Sequence, residues 1–218
     1  MPDFKEQEIY LPSFPALFLK PEGHEIQESD AVSEKTSASM KSWARVYSLI
    51  FAGDSMDVLS LPAIGQGIAS AVNATINARL ATVLESADLA ETSGSMDATG
   101  LGAGFQSLRD QTDQAGNDLG LVPAAIVVPS TSEVAARTLM AGWPGAPKVV
   151  VLPGLAAGSF YVASDPLQQA SFAILTMGDL TPEISTRLDF RTDILKIKVI
   201  THFEIAQTSV KGVVRVNA

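Results

Sequence analysis

A serine on a sharp turn is the strongest catalytic signal in the chain. Gly53-Asp54-Ser55-Met56 follows the apolar run Val46–Ala52 and precedes a helical pattern, the setting in which a nucleophile elbow presents a hydroxyl beside backbone N–H donors. Acyl transfer at Ser55 needs a base, and the sequence offers His24 and His202. His24 sits in a polar stretch, while His202 lies in a strand pattern with no aspartate three residues before it. Asp57 also stands where an elbow carries its second glycine. Ser55 therefore reads as a turn serine, with Asp54 favouring the start of the helix that follows.

Other chemical signals are weaker. Gly100-Leu101-Gly102-Ala103-Gly104 precedes a helix and offers backbone amides to a phosphate, but it follows an Ala/Ser/Thr/Asp stretch rather than a strand and lacks a Gly-Lys-Ser/Thr. Asp110 and Asp113 have a helical spacing of three and read as a solvated face. His202, with Phe203 and Glu204 beside it, reads as an outward-facing surface or interface residue. With no cysteine, zinc ribbons, iron–sulfur clusters, thiol nucleophiles and disulfides are excluded. No cofactor or metal is expected.

The elements that would position these groups are unusual in shape. At 218 residues, 46% hydrophobic and 18% charged, the chain can bury about 70% of its extended surface, which suits one domain or two closely packed ones. Its formal charge of −9 gives free nucleic acid no electrostatic grip; Lys196, Lys198, Lys211 and Arg215 are the cations a local basic patch would draw on. Met1-Pro2-Asp3-Phe4-Lys5-Glu6 has acids and a proline where a signal peptide needs a basic start, and no apolar run reaches 18 residues, so neither secretion nor a transmembrane helix is expected.

Residues 1–21 hold four prolines among Phe4, Ile9, Tyr10, Leu11, Phe14, Leu17, Phe18 and Leu19, which predicts an extended apolar arm. Residues 22–41 are polar and charged. Composition does not separate a projecting hairpin from a solvated linker there. Ser60 and Pro62 open a helix whose apolar set Leu61, Ile64, Ile68, Val72, Ile76, Leu80 and Leu84 predicts one span over 61–87. Residues 88–104 read as a flexible loop, and a second helix with Phe105, Leu108, Thr112 and Ala115 on one side is expected to stop near Gly116-Asn117. A strand over 121–128, a capping box at Ser130–Glu133 opening a helix to Met140, and a strand over 148–152 form a strand–helix–strand unit. Leu195, Ile197, Val199, Thr201, Phe203 and Ile205 alternate with Lys196, Lys198, Ile200, His202 and Glu204, which predicts a strand much longer than usual. The class is α+β. An apolar arm, a polar projection, a long helix and a long strand bury little within one chain, so neighbouring copies must cover them.

The order of short motifs resembles the tailed-phage major capsid proteins of the Hong Kong 97 fold, in particular the branch fused to Clp-like or Mu-type prohead proteases. The matching stretches are Pro2-Asp3-Phe4-Lys5, Glu22-Gly23-His24-Glu25-Ile26, Asp118-Leu119-Gly120-Leu121-Val122-Pro123 with Ile126-Val127-Val128-Pro129, and Phe160-Tyr161-Val162-Ala163-Ser164-Asp165-Pro166. Thr181-Pro182-Glu183-Ile184, Asp189-Phe190-Arg191-Thr192-Asp193 and His202-Phe203-Glu204-Ile205-Ala206 follow in family order.

The resemblance implies an N-terminal arm over 1–20, an E-loop over 21–48, a P-domain with its spine helix over 49–99, an A-domain with a central sheet over 100–165, and a β-rich return to the P-domain over 166–218. It places subunit contacts on the arm at Phe14 and Phe18 and on the E-loop at His24, Glu25, Ile26, Glu34, Lys35, Met40, Lys41 and Trp43. The implied function is non-enzymatic: pentamers and hexamers of one chain build an icosahedral shell around double-stranded DNA, assembled in the host cytoplasm. Scaffold, protease, portal and decoration proteins are the implied partners, with no membrane and no sequence-specific DNA contact. The family's arm runs longer before Asp3-Phe4-Lys5, which points to a processed product, a split gene or an artificially trimmed chain; with no protease domain attached, any maturation cleavage falls to another chain. An encapsulin-like compartment shares the fold and would need a cargo-peptide groove; a small hydrolase using Ser55 is the alternative of a different class.

Overall fold

The apolar spacing that begins at Leu61 forms one helix, α1 (Leu61–Ser86), 26 residues long and about 39 Å from end to end at 1.5 Å per residue. It is the central member of a computed structural model that describes residues 7–13, 32–50, 61–114, 116–177, 180–189 and 194–217. Six alanines between positions 63 and 81 favour the helical backbone without bulk. Its apolar stripe serves two different sheets.

The first sheet is built on β10 (Ile194–Gln207), 14 residues long. β3 (Lys41–Ile50) pairs antiparallel along one side of it, from Ile194↔Ile50 to Phe203↔Lys41. On the other side the partner changes: β9 (Glu183–Asp189) covers Ile194 to Ile200, and β8 (Phe172–Thr176) covers Phe203 to Gln207. Ile68 of α1 packs on Ile197 and Val199, and Val83 packs on Phe203 and Ile205, so the helix lies along the odd-numbered face of β10. The expected alternation holds through Phe203 and then stops. Glu204, read from the sequence as outward-facing, is buried with both its neighbours; β8 and the bases of β3 and α1 close over this half of the strand.

The second sheet has five strands in the order β4-β11-β7-β5-β6. Its members are β4 (Ala90–Ser93), β5 (Pro123–Val128), β6 (Lys148–Val151), β7 (Ser159–Ser164) and β11 (Val213–Asn217). β5 and β6 are parallel, joined through α3 (Glu133–Met140), as the strand–helix–strand pattern requires. One face carries α2 (Ala98–Arg109) and α3, with Leu101, Phe105, Leu108, Ala136 and Met140 against Ile126, Val128, Phe160, Val162, Val214 and Val216. The opposite face receives the last turns of α1, with Ala81 and Leu84 against Tyr161 and Val213. Because α1 contacts both sheets, it fixes their relation.

Four expectations are corrected. The 88–104 segment is not a loop: it holds β4 and the first half of α2, whose Gly100 N–H donates to the Asp97 carboxylate at 2.8 Å. Its glycines are packing residues. A methyl group at Gly100 would overlap the Ser95 carbonyl, and one at Gly104 would meet Val216 at 2.9 Å and Val162 at 3.0 Å. α2 also ends earlier than expected, at Arg109, because Asp113 closes a turn by accepting from the Asn117 amide at 2.8 Å. The capping box at Ser130 does not form: Ser130–Ser132 make a single 3₁₀ turn, and the Glu133 carboxylate instead takes Arg137 at 2.8 Å. Finally, β11 joins the five-stranded sheet between β4 and β7, so the C-terminal third does not return only to the sheet under α1.

Candidate assembly site

The hairpin expected from residues 21–48 exists in a different form. β1 (Gln7–Ser13) pairs antiparallel with β2 (Val32–Ala38) from Gln7↔Ala38 to Ser13↔Val32, so the arm is one limb of the hairpin. These two strands form a sheet of their own. Residues 41–48, assigned to the loop from the sequence, instead belong to β3 in the sheet under α1. Of the ten expected contact residues, Phe14, Phe18, His24, Glu25 and Ile26 lie outside the described residues, as does Ser55. Glu34 stands opposite Leu11 and Lys35 opposite Tyr10 in the hairpin register. Met40 is half-buried at the junction with β3.

Lys41 and Trp43 anchor the hairpin root to the chain's own sheet. The Trp43 indole N–H donates to the Phe203 carbonyl at 3.1 Å, and its ring stacks on Phe203 with centroids 5.5 Å apart. Lys41 Nζ lies 2.9 Å from Glu204 Oε2, and Arg79 Nε on α1 donates to Glu204 Oε1 at 2.6 Å. The Ile205 amide donates to the same Oε1 at 3.0 Å. Burial acts to raise the carboxyl's pKa, but the ion pair with Lys41, the hydrogen bonds from Arg79 and Ile205 and the charge of Arg79 outweigh it and hold Glu204 below the usual glutamate value. One carboxylate thus ties β10 to the hairpin root and to the long helix. A cavity of about 310 Å³ opens beside it, bounded by Ala38, Ser39, Lys41, Arg79 and Glu204. A larger groove, about 580 Å³, runs between α1 and β3 past Trp43, Tyr47, Ala74 and Ala78.

At the far end of α1, Arg215 of β11 closes the helix. Its Nη2 donates to the Leu84 and Glu85 carbonyls at 2.7 and 2.8 Å, its Nη1 to Glu91 Oε1 at 2.6 Å, and its guanidinium lies over the Tyr161 ring. Burial raises the Tyr161 phenol above its ordinary pKa against the opposing pull of Arg215. Arg215 is therefore committed to the fold and withdrawn from any basic patch. Lys196 is 3.7 Å from Asp189.

Among the described residues the chemical candidates serve structural roles. Gly100, Gly102 and Gly104 lie inside α2, Asp110 accepts two hydrogen bonds from the Gln106 amide at 2.9 Å, and His202 Nδ1 is bonded to the Ser42 hydroxyl at 2.9 Å. Among the described residues no three His, Asp or Glu side chains group as metal ligands, and no helix is long and apolar enough to cross a membrane. Apolar exposure was the feature that site-by-site reading missed. Ile184 and Leu188 of β9 stand opposite Val199 and Leu195 on the side facing α1, yet both remain exposed, as do Ile174 of β8 and Met177 just beyond it. Alternation within 183–189 was the available signal.

Two sheets bridged by one long helix, with a separate hairpin rooted at the end of the helix-bearing sheet, make up the Hong Kong 97 fold. A solved structure of Mycobacterium phage Che8 superposes over 97% of this chain and 84% of its own length at TM-score 0.60 and 14% identity. The virus-like particle from Pyrococcus furiosus matches at 0.62 over 97% and 86% with 9% identity, and the SrpI encapsulin from Synechococcus elongatus PCC 7942 at 0.55 over 86% and 77% with 11% identity. These likenesses establish the fold and do not separate phage shell from encapsulin. No curated protein matches in sequence. The sequence pattern of the phage capsid protein family spans residues 34–216, and the chain belongs to that family. It is a structural capsid protein.

Proposed function

We propose that this chain builds a closed icosahedral shell from pentamers and hexamers, and that the hairpin and arm, with Phe14, Phe18, His24, Glu25, Ile26, Glu34 and Lys35, make the contacts between subunits. The observation that carries the reading is that, among the described residues, β1 and β2 pair only with each other in a two-stranded sheet. Such a hairpin is marginal by itself and needs a surface to complete it. The exposed Ile184, Leu188, Ile174 and Met177 supply apolar area of the kind an interface buries. Shell formation needs no catalytic group.

Double-stranded DNA fills this shell through a packaging motor rather than by charge. The chain carries 24 acids against 15 cations, and Arg215 is spent on the helix terminus. Scaffold, protease, portal and decoration proteins are the partners such a shell takes, with assembly in the host cytoplasm and, from the motif order, kinship to the protease-fused branch. Light scattering and negative-stain imaging of the purified protein test the reading. Hollow particles or capsomers are expected. A stable 22.9 kDa monomer at all concentrations and salts would refute it.

A further inference from the structure

Glu204 has two oxygens, and each is held by a different moving part. Oε1 accepts from Arg79, two turns before the C-terminus of α1, and Oε2 faces Lys41, the first residue of β3 and the root of the hairpin. The Glu204 side chain is only 5% exposed, whereas Lys41 is 53% exposed and borders the 310 Å³ cavity with Ala38 and Ser39. The root therefore has room to shift, and the carboxylate, which borders the same cavity, is held in place by its two cations. If Lys41 swings away with the hairpin, Oε2 loses the cation that compensates its burial. The carboxylate must then turn toward the opening, and its bond to Arg79 turns with it. The same argument runs from helix to hairpin, since a coupling free energy is reciprocal.

We propose that Glu204 is the joint through which the position of the hairpin and the local stability of α1 are linked. The coupling is a property of the single chain. Its consequence in a shell rests on the reading that a neighbouring subunit captures the hairpin: capture would then tighten α1 around Arg79, some 40 residues away in sequence, without touching it.

The test uses the unassembled subunit, so it is independent of whether particles form. Tryptic cleavage after Lys35, followed by mass spectrometry, reports opening of β2. Arg79→Met, on α1 rather than in the hairpin, should raise that cleavage rate about three- to tenfold; Lys41→Met should do the same, and the double variant should exceed neither single by more than the error. In the reverse direction, Lys41→Met should speed hydrogen exchange of the α1 amides near residues 79–83 by a similar factor. If Arg79→Met unfolds the chain, Glu204→Gln keeps the shape while removing the shared charge, and should raise both readouts together. Effects of Arg79→Met and Lys41→Met that multiply, unchanged α1 exchange in Lys41→Met, or a Glu204→Gln variant that moves one readout alone would each overturn the joint. Absence of particles from the wild-type protein would instead count against the shell reading.

Discussion

Removing the guanidinium of Arg215 should be among the most costly single changes in the molecule. Arg215→Met strips two short charge-assisted hydrogen bonds from the Leu84 and Glu85 carbonyls, each worth about 1.5–3 kcal/mol when a charged donor is involved. It also removes a cation from a helix C-terminus, worth up to about 2 kcal/mol when partly buried. The pair with Glu91 adds under about 1 kcal/mol, because that carboxylate is half-exposed. These contributions overlap, since the same atoms make them, and a total loss of about 3–5 kcal/mol is expected. For a chain of this size, that lowers Tm by about 6–20 °C. Arg215→Lys keeps the charge but cannot span both carbonyls and Glu91, so it should recover about half. Circular dichroism of the unassembled subunit measures both, with hydrogen exchange at residues 84–93 locating the damage. An Arg215→Met subunit within about 0.5 kcal/mol of wild type would show that the helix end is satisfied by solvent and that the argument is wrong.

Glu204, held below its ordinary pKa, contributes stability that is present above the unfolded-state value and is lost as pH falls through the lower folded value. Acid titration of unfolding should therefore show a constant gap between wild type and Glu204→Gln well above the ordinary glutamate pKa of about 4.3 and a narrowing gap as pH falls below it; a gap independent of pH would contradict this. Gly104→Ala should cost about 1–3 kcal/mol by driving a methyl into Val216 and Val162, whereas Gly102→Ala, which meets nothing within 4 Å, should stabilise α2 by up to about 1 kcal/mol. Thermal melts of the two variants moving in the same direction would sink the packing account. Ser55→Ala should leave particle formation intact, and an esterase activity abolished by it would restore the hydrolase alternative.

What could be read from the sequence followed periodicity. The stripe from Leu61 to Leu84 and the alternation from Leu195 to Phe203 are long enough to outweigh local noise, and they fix the helix and strand that define the fold. Short elements with unusual composition were lost. Residues 90–104 look like linker because Gly, Ala, Ser and Thr dominate, yet those small residues are what let α2 approach the sheet at Gly104. Glu204 was misplaced for another reason. Two-fold alternation assumes one solvated face, and no local pattern tells that β8 begins where β9 ends. The roles of Lys41 and Arg215 depend on partners 163 and more than 120 residues away, a distance across which a single sequence carries no signal. Resemblance recovered the architecture because motif order survives where identity does not.

The position of β11 governs when the subunit can exist at all. Ala90 pairs with Val214, and β11 lies between β4 and β7, so the five-stranded sheet has a gap in its interior until that strand is made. A ribosome adding about 5–20 residues per second exposes α2 and β5 for roughly 5–25 s before β11 follows. Phe105, Leu108 and Ile126 have incomplete cover during that time. The sheet is consequently completed late and slowly, because contacts between distant residues must form before they reward the loops they close. Each copy passes through an aggregation-prone interval at the very concentrations that a shell of many copies demands, which makes chaperone capacity, as much as subunit affinity, a limit on how fast shells accumulate.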